Sequence, residues 1–306
     1  MKEQEFIKII NETLSDNSYL GDDCAYLKEF GLFVTHDTMV ENVHFSLKYS
    51  TPYQIGYKAV ITNLSDLAAA LSIPLYLTVS VSLPKNTDND FVKELFEGIN
   101  SACKEYNVKV TGGDITGAEN IIISICAIGK KQTEFISSRS NAKAGDLIVT
   151  TGTHGSSGAG LQCFLKNTDN NFLKNKHLKP KARFDAVKKL LPFLNENIAC
   201  MDTSDGLYDA VMQIAQKSNL SAKIDIKNIP YDKEIEIFKN YQELILSGGE
   251  DYELVFALNR EIFEKLDKNL FFKIGEFIKK NEAIVLINDI EKNLSMQQPK
   301  FFDHFD

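Results

Sequence analysis

Short apolar segments of strand length alternate with segments of helical spacing in the first half of the chain. The strand-like segments are rich in β-branched residues and cover residues 32–35, 76–83, 108–111 and 121–128. The helix-like segments cover residues 53–71 and 91–106, with apolar residues three and four positions apart, and follow the N-cap candidates Thr51, Asp88 and Asn89. The pattern predicts a sheet packed with helices.

A polar stretch at residues 133–146 interrupts this pattern, and the alternation then starts again. The second half has strand-like segments at 147–151, 198–201, 222–226, 254–257 and 283–287. It has helix-like segments at 159–165, 183–190, 206–217 and 260–266, and a Gly- and Ser-rich turn at 152–158. We expect one domain at residues 1–140 and another at 141–306, and an α+β fold with two lobes.

The composition is that of an ordinary globular protein. Of the 306 residues, 43% are hydrophobic and 25% are charged, which excludes disordered and fibrous classes. No apolar run approaches the ~20 residues of a membrane span. The sequence starts without a basic and apolar leader, so a cytoplasmic location is expected. The five cysteines are scattered without a Cys-x-x-Cys pair, which argues against a disulfide framework or a structural zinc site.

The charge balance restricts the choice of partners. Lys and Arg number 34 and Asp and Glu number 42, so the net charge is −8 and nonspecific nucleic-acid binding is disfavoured. An acidic protein that handles phosphate needs added positive charge, most simply metal ions. The common nucleotide motifs Gly-x-x-x-x-Gly-Lys-Ser/Thr and Gly-x-Gly-x-x-Gly are absent, as are the serine-nucleophile and metalloprotease motifs.

Six short acidic segments fall where strand ends or turns are expected. They are Gly21-Asp22-Asp23-Cys24-Ala25, Thr35-His36-Asp37-Thr38, Asn63-Leu64-Ser65-Asp66, Thr111-Gly112-Gly113-Asp114, Met201-Asp202-Thr203-Ser204-Asp205-Gly206 and Ser247-Gly248-Gly249-Glu250-Asp251. Taken singly, an Asp beside Gly is most often a turn residue or a helix cap. Carboxylates that converge on one site would instead supply the hard oxygen ligands that Mg²⁺ prefers.

Taken in order, these segments resemble the thiamine-monophosphate kinase family of the ATP-binding superfamily that includes aminoimidazole-ribonucleotide synthetase and selenophosphate synthetase. The most specific matches are Val40-Glu41-Asn42-Val43-His44-Phe45 and Ser-Gly-Gly-Glu-Asp-Tyr-Glu-Leu at 247–254. The resemblance implies a two-lobed synthetase-like fold and a homodimer in which the N-terminal lobes join their sheets. It also implies transfer of the ATP γ-phosphoryl group to thiamine monophosphate, which gives thiamine diphosphate and ADP.

The resemblance further implies roles for individual residues. Ligands for several Mg²⁺ ions would be Asp23, Thr35, His36 through its backbone, Asp37, Asp66, Asp114, Asp202 and Asp205. Nucleotide contacts would be Gly113, Asp114, Arg139 and Ser204, and thiamine contacts would be His44, Glu250 and Phe302. Asp114, Arg139 and Asp205 are the catalytic candidates. Asn42 departs from the family pattern, which usually has Gly there, and Phe302 replaces a more common Tyr or Trp.

Two other functions remain open on the residues alone. One is another ATP-dependent synthetase of the same superfamily with a different substrate, and the other is a non-catalytic sensor that binds Mg²⁺-ATP. A basic run around His177 also allows two interpretations, a solvated loop that leads into a helix or a patch that faces phosphate or the other lobe. It comprises Lys174, Lys176, Lys179, Lys181 and Arg183.

Overall fold

The N-terminal lobe is a five-stranded sheet with two long helices on one face, as described by a computed structural model over residues 2–282 and 284–288. The sheet order is β1-β2-β5-β3-β4, with β3 and β4 parallel and the other pairs antiparallel. The elements of this lobe are α1 (Lys2–Thr13), β1 (Ala25–Leu27), β2 (Leu32–Val40), α2 (Pro52–Ala69), β3 (Ser72–Leu83), α3 (Asn89–Glu105), β4 (Lys109–Gly117) and β5 (Ile122–Lys131).

The C-terminal lobe is a six-stranded sheet in the order β11-β8-β10-β6-β9-β7. Its strands are β6 (Leu147–Thr151), β7 (Ala199–Asp202), β8 (Leu220–Asp225), β9 (Leu254–Leu258), β10 (Phe271–Lys279) and β11 (Val285–Asn288). Its helices are α4 (Ser156–Leu165), α5 (Asn171–Leu178), α6 (Phe184–Leu190), α7 (Leu207–Lys217), α8 (Tyr241–Ser247) and α9 (Arg260–Glu264). A short 3-10 turn, Arg139–Asn141, lies between the two sheets along the chain. The architecture confirms the α+β prediction.

Helix α2 is the element that joins the two lobes. It begins with a capping box, in which the Thr51 hydroxyl accepts from the backbone of Gln54 and the Gln54 side chain accepts from the backbone of Thr51. Its middle residues are buried under the N-terminal sheet, while Ala68 and Ala69 at its end pack in an apolar cluster of the C-terminal lobe that includes Val149. The side chains on α2 are therefore fixed relative to both lobes.

Several predicted elements differ from the structure in their bounds. The segment Gly112 to Asp114, expected at a strand end, lies inside β4, because Gly113 lets the chain continue in register beside Val79. A Cβ at Gly113 would lie 1.7 Å from the Val79 carbonyl oxygen. Asp37 lies inside β2 rather than after a strand, and Asp66 lies on α2. The sequence pattern did not predict α1, α5, α8, β1 or β10.

Across the described ranges, no helix combines the length and the apolar character that crossing a membrane requires.

Candidate active site

Three carboxylates from the two lobes meet in the cleft between them. Asp23 precedes β1, Asp66 lies on α2 and Asp202 ends β7. One oxygen atom of each carboxylate lies within 4.8 Å of those of the other two. We call these three residues the carboxylate cluster. The family resemblance implied all three as metal ligands, and the fold brings them to one place.

The partners of the cluster hold its oxygens in fixed directions. The Thr35 hydroxyl donates to Asp66 Oδ2 at 2.5 Å, and the Ser204 hydroxyl donates to Asp202 Oδ1 at 3.0 Å. Asp202 Oδ2 is buried and makes no hydrogen bond of standard geometry among the described residues, although the nearby Ser65 hydroxyl lowers the pKa of Asp202. Since a buried, unpartnered carboxylate oxygen is costly, this atom fits a site that is completed by a bound cation.

Burial raises the pKa of every carboxyl group in the cluster. It raises the pKa of Asp23 to about 6, although Arg139 works in the opposite direction. Burial and then the neighbouring charge of Asp37 raise the pKa of Asp66 well above its usual range, and burial is also the main reason that the pKa of Asp202 is raised. Hard oxygen donors with so little compensating charge suit a hard divalent cation.

Arg139 connects the cluster to the C-terminal lobe. Its Nη2 atom donates to Asp23 Oδ1 at 2.8 Å, its Nη1 atom donates to Gln213 on α7 at 2.6 Å, and its backbone N–H donates to Asp22 Oδ1 at 2.7 Å. The guanidinium Nε is buried without a hydrogen-bond partner among the described residues. Arg139 therefore points a cation at the cluster.

A second polar group lies around Glu250 in the same cleft. Glu250 Oε1 lies 2.7 Å from Nζ of Lys58 on α2, and Glu250 Oε2 lies 3.4 Å from Nδ1 of His177 on α5. Burial works to raise the pKa of Glu250, but Lys58, His177 and His44 work against it, and the net shift is downward. Glu250 is therefore a carboxylate at neutral pH.

His44 is positioned by a tight turn after β2. Its Nδ1 accepts a hydrogen bond from the backbone of Val40 at 3.0 Å. Asn42 in the same turn has φ 63° and donates from its backbone to Phe45 O at 2.8 Å. Asn tolerates this left-handed conformation better than other non-Gly residues, so the departure from Gly keeps the turn. The two predicted substrate contacts in the described residues, His44 and Glu250, are thus brought together.

Hydrogen bonds connect the loop of Glu250 to the loop of Asp202. The Glu250 backbone N–H donates to Ser204 O at 2.7 Å. The Thr203 N–H donates to Glu253 O at 2.9 Å, and the Glu253 N–H donates to the Thr203 hydroxyl at 3.0 Å. Asp251 accepts from the N–H groups of Gly155 and Ser157 at the start of α4, at 2.5 and 2.8 Å. Asp251 therefore has a structural role, which leaves Glu250 as the carboxylate that faces the cleft.

The other predicted site residues occupy several places. Asp37 is half-buried on β2, near enough to the cluster to raise the pKa of Asp66, and His36 beside it is exposed. Gly113 and Asp114 are exposed on the edge strand β4, outside the three-carboxylate group, and Asp205 is exposed after Ser204. Phe302 lies outside the described residues.

Sequence reasoning missed Lys58 and misjudged His177. Lys58 stands between apolar residues in the middle of α2 and is 4% exposed, so a lysine flanked by apolar residues was the available signal. His177 and the first part of the basic run form α5, and His177 is 3% exposed, so the solvated-loop interpretation is wrong for this residue. Tyr49 and Phe164 also stack near Glu250, with ring centroids 4.7 Å apart.

Family models identify the class of protein. The model of the N-terminal domain of AIR synthase related proteins matches residues 21–130, and the model of their C-terminal domain matches residues 143–288. Together they cover most of the chain.

Curated relatives narrow the class of protein to one family. The chain is 32% identical to the thiamine-monophosphate kinase of Bacillus subtilis, an alignment that covers 94% of this chain and 93% of the relative. It is 37% identical to that of Buchnera aphidicola from Acyrthosiphon pisum, over 94% of this chain and 92% of the relative. The chain belongs to the thiamine-monophosphate kinase family.

Solved structures agree in fold over nearly the whole chain. A structure of AaThiL complexed with AMPPCP and TMP has a TM-score of 0.85 at 31% identity, and covers 95% of this chain and 96% of its own. The crystal structure of thiamine monophosphate kinase from Aquifex aeolicus has a TM-score of 0.82 at 31% identity, and the match covers 92% of this chain and 94% of that one. The hydrogenase maturation protein HypE, at 20% identity and a TM-score of 0.71 over 89% and 90% of the chains, shares the fold.

Proposed function

We propose that this chain transfers the γ-phosphoryl group of ATP to the phosphate of thiamine monophosphate and releases thiamine diphosphate and ADP. The observation that carries the proposal is the convergence of three carboxylates from both lobes in the cleft that also holds Glu250 and His44. Relatives named as thiamine-monophosphate kinases, and a similar structure that contains AMPPCP and TMP, support the same substrates.

We further propose that the carboxylate cluster holds Mg²⁺. Asp23, Asp66 and Asp202 would be its ligands, with Thr35, Asp37, Asp205, Asp114 and the backbone of His36 as additional ligands for more than one ion. When bound, Mg²⁺ would neutralise phosphate charge and help to align the in-line displacement. The buried Asp202 Oδ2, which makes no hydrogen bond of standard geometry, and the raised pKa values of the cluster support this assignment.

The protein's own residues would bind and orient the two reactants. Arg139 would exchange its contact with Asp23 for phosphate oxygens, since a guanidinium grips phosphate with two parallel hydrogen bonds. Gly113, Asp114 and Ser204 would contact the nucleotide. His44, Glu250 and Phe302 would contact the thiamine part. Because the second pKa of a phosphate monoester is about 6, the acceptor is mostly dianionic at neutral pH and needs no general base.

The same proposal includes the organisation of the chain. The N-terminal domain would comprise residues 1–140 and the C-terminal domain residues 141–306. Two copies would form a homodimer by joining their N-terminal sheets. Helices α2 and α3 cover one face of that sheet, and on the other face Tyr76 is 43% exposed in the described part of the chain.

The test is a reaction with Mg²⁺-ATP, with and without thiamine monophosphate, in which nucleotides and thiamine phosphates are separated by chromatography. We expect equal amounts of thiamine diphosphate and ADP, formed only when both substrates and Mg²⁺ are present. Asp202→Asn should abolish turnover, because it removes a metal ligand with little change in volume. Asp169→Asn, whose side chain is 93% exposed, is the matched control and should retain activity.

Other outcomes would select the alternatives. Release of ADP without thiamine diphosphate would indicate a synthetase of the same superfamily with another substrate. Binding of Mg²⁺-ATP without turnover would indicate a sensor. Full activity of Asp202→Asn would remove the carboxylate cluster from the reaction.

A further inference from the structure

Lys58 is a buried charge with a specific partner. It lies in the middle of α2, where its neighbours Tyr57, Ala59 and Val60 are buried, and it is 4% exposed. Its Nζ atom lies 2.7 Å from Glu250 Oε1, across the cleft between the lobes. A lysine is rarely buried without a countercharge, because the charged amine loses its water on burial. Glu250 supplies that charge.

The second oxygen of Glu250 faces a histidine that is neutral at physiological pH. His177 Nδ1 lies 3.4 Å from Glu250 Oε2 and 3.2 Å from the Ser157 hydroxyl. Burial, together with the nearby Lys58 charge, lowers the pKa of His177 to about 4. Among these contacts, Lys58 is therefore the group that supplies a full positive charge to Glu250.

The main chain of Glu250 is held in an uncommon conformation. Its φ angle is 65°, in the left-handed region that non-Gly residues seldom adopt, and its N–H donates to Ser204 O at 2.7 Å. The main chain is thus tied to the loop of Asp202, while the side chain reaches α2 and α5. The Glu250 side chain remains 25% exposed, on its side toward the cleft.

We propose that Lys58 is a positioning residue for substrate binding: it occupies Oε1 of Glu250 and fixes the carboxylate beside His177, so that the part of the side chain exposed to the cleft meets a hydrogen-bond donor on the thiamine substrate in one direction. The proposal rests on the proposed function and adds to it a residue that does not itself touch the substrate. A carboxylate fixed in this way accepts a hydrogen bond from one direction only. It therefore favours a substrate ring that carries an amino group, such as an aminopyrimidine, over a ring without a hydrogen-bond donor. Loss of Lys58 would leave the Glu250 charge in a poorly solvated place without its partner.

The first experiment measures kinetics of Lys58→Met, which keeps the length of the side chain and removes its charge. We expect KM for thiamine monophosphate to rise at least ~10-fold, while KM for Mg²⁺-ATP changes less than about twofold. Lys58→Arg, which keeps the charge, should recover part of the loss. In the double variant Lys58→Met with Glu250→Gln, KM should be no higher than in Glu250→Gln alone, because the two residues act as one unit.

Lys189→Met is the control. Lys189 pairs with Asp267 at 3.1 Å on an exposed surface of the C-terminal lobe, so its replacement should leave both KM values unchanged. A variant that merely loosened the fold would raise both KM values or lower kcat instead. An unchanged KM for thiamine monophosphate in Lys58→Met would overturn the proposal.

A second measurement needs no substrate and separates this proposal from the proposed function. NMR titration of His177 should give a pKa of about 4 in the wild-type chain, a higher value in Lys58→Met and a lower one in Glu250→Gln, because Lys58 lowers this pKa and Glu250 raises it. If the wild-type chain fails to phosphorylate thiamine monophosphate while these opposite shifts occur, the substrate assignment falls and the pairing of Lys58 with Glu250 stands. If Lys58→Met does not fold, the titration is made on Lys58→Gln. A His177 pKa that does not respond to loss of the lysine would overturn the positioning role.

Discussion

Asp66 lies among other carboxylates and is only partly exposed to solvent. After burial, the charges that raise its pKa are those of Asp37, Asp202 and Asp23, and the Thr35 hydroxyl lowers it only in part. The ionised form of Asp66 therefore works against folding when no cation is bound. Binding sites for metal ions commonly keep such a cost because the ion removes it.

We predict that Asp66→Asn stabilises the metal-free protein and weakens its response to Mg²⁺. The raised pKa means that the folded state holds a proton that the unfolded chain loses above about 3.8, so ionised Asp66 costs stability at neutral and alkaline pH and less as the pH falls. Thermal unfolding at pH 8 should show a higher Tm for the variant than for the wild type without Mg²⁺, and a smaller increase on adding Mg²⁺. The exposed Asp169→Asn should behave like the wild type; a Tm increase with Mg²⁺ in Asp66→Asn as large as in wild type would contradict the prediction.

Helices α2 and α3 cross so closely that only glycine fits at two positions of the contact. A Cβ at Gly56 would lie 2.1 Å from Leu95 O, and a Cβ at Gly98 would lie 1.9 Å from Tyr53 O. The backbones therefore touch at two glycines, one from each helix. Because α2 also carries Lys58 and Asp66, this crossing fixes both groups of the candidate site.

We predict that Gly98→Ala destabilises the protein although alanine is the better helix former. The gain in helix propensity is about 1 kcal/mol. The added methyl group would overlap the Tyr53 carbonyl and force the helices apart, so a net loss of about 1–3 kcal/mol is expected. Urea unfolding followed by circular dichroism measures it, with Asn100→Ala on the exposed side of α3 as the control. A variant as stable as the control would show that the helices can separate freely.

Strand β10 shows why some elements escape prediction from sequence. Its buried residues Phe271, Ile274 and Phe277 are three positions apart, which is not the alternation expected of a strand. The structure has a register shift between Lys273 and Gly275, opposite β6, which accounts for the altered spacing. Strands β6 and β9, by contrast, are buried along their whole length and appear in the sequence as short apolar runs.

At the scale of the whole molecule, the candidate site depends on contacts between residues far apart in the chain. The family resemblance implied Asp23, Asp66 and Asp202 as metal ligands, but their closeness follows from tertiary packing, including that of α2 against β7. Lys58 could not be paired with Glu250 from the sequence, because nothing local to either residue indicates the other. Motifs therefore nominate candidate site residues, whereas tertiary packing determines which of them meet.

The face of the N-terminal sheet opposite α2 leads to the last prediction, which concerns assembly. Along β3, Leu77, Val79 and Val81 are buried under the helices, while Tyr76 points the other way and is 43% exposed in the described structure. If two chains join these faces, analytical ultracentrifugation should give a mass near twice the 34.4 kDa of one chain. Tyr76→Lys should shift this equilibrium towards monomers, because it buries a charge without a partner.

Phe30→Lys is the control: Phe30 is 74% exposed in the turn between β1 and β2, so the variant should remain dimeric. A wild-type mass near 34.4 kDa would contradict the proposed dimer, and an unchanged dimer in Tyr76→Lys would place the contact elsewhere.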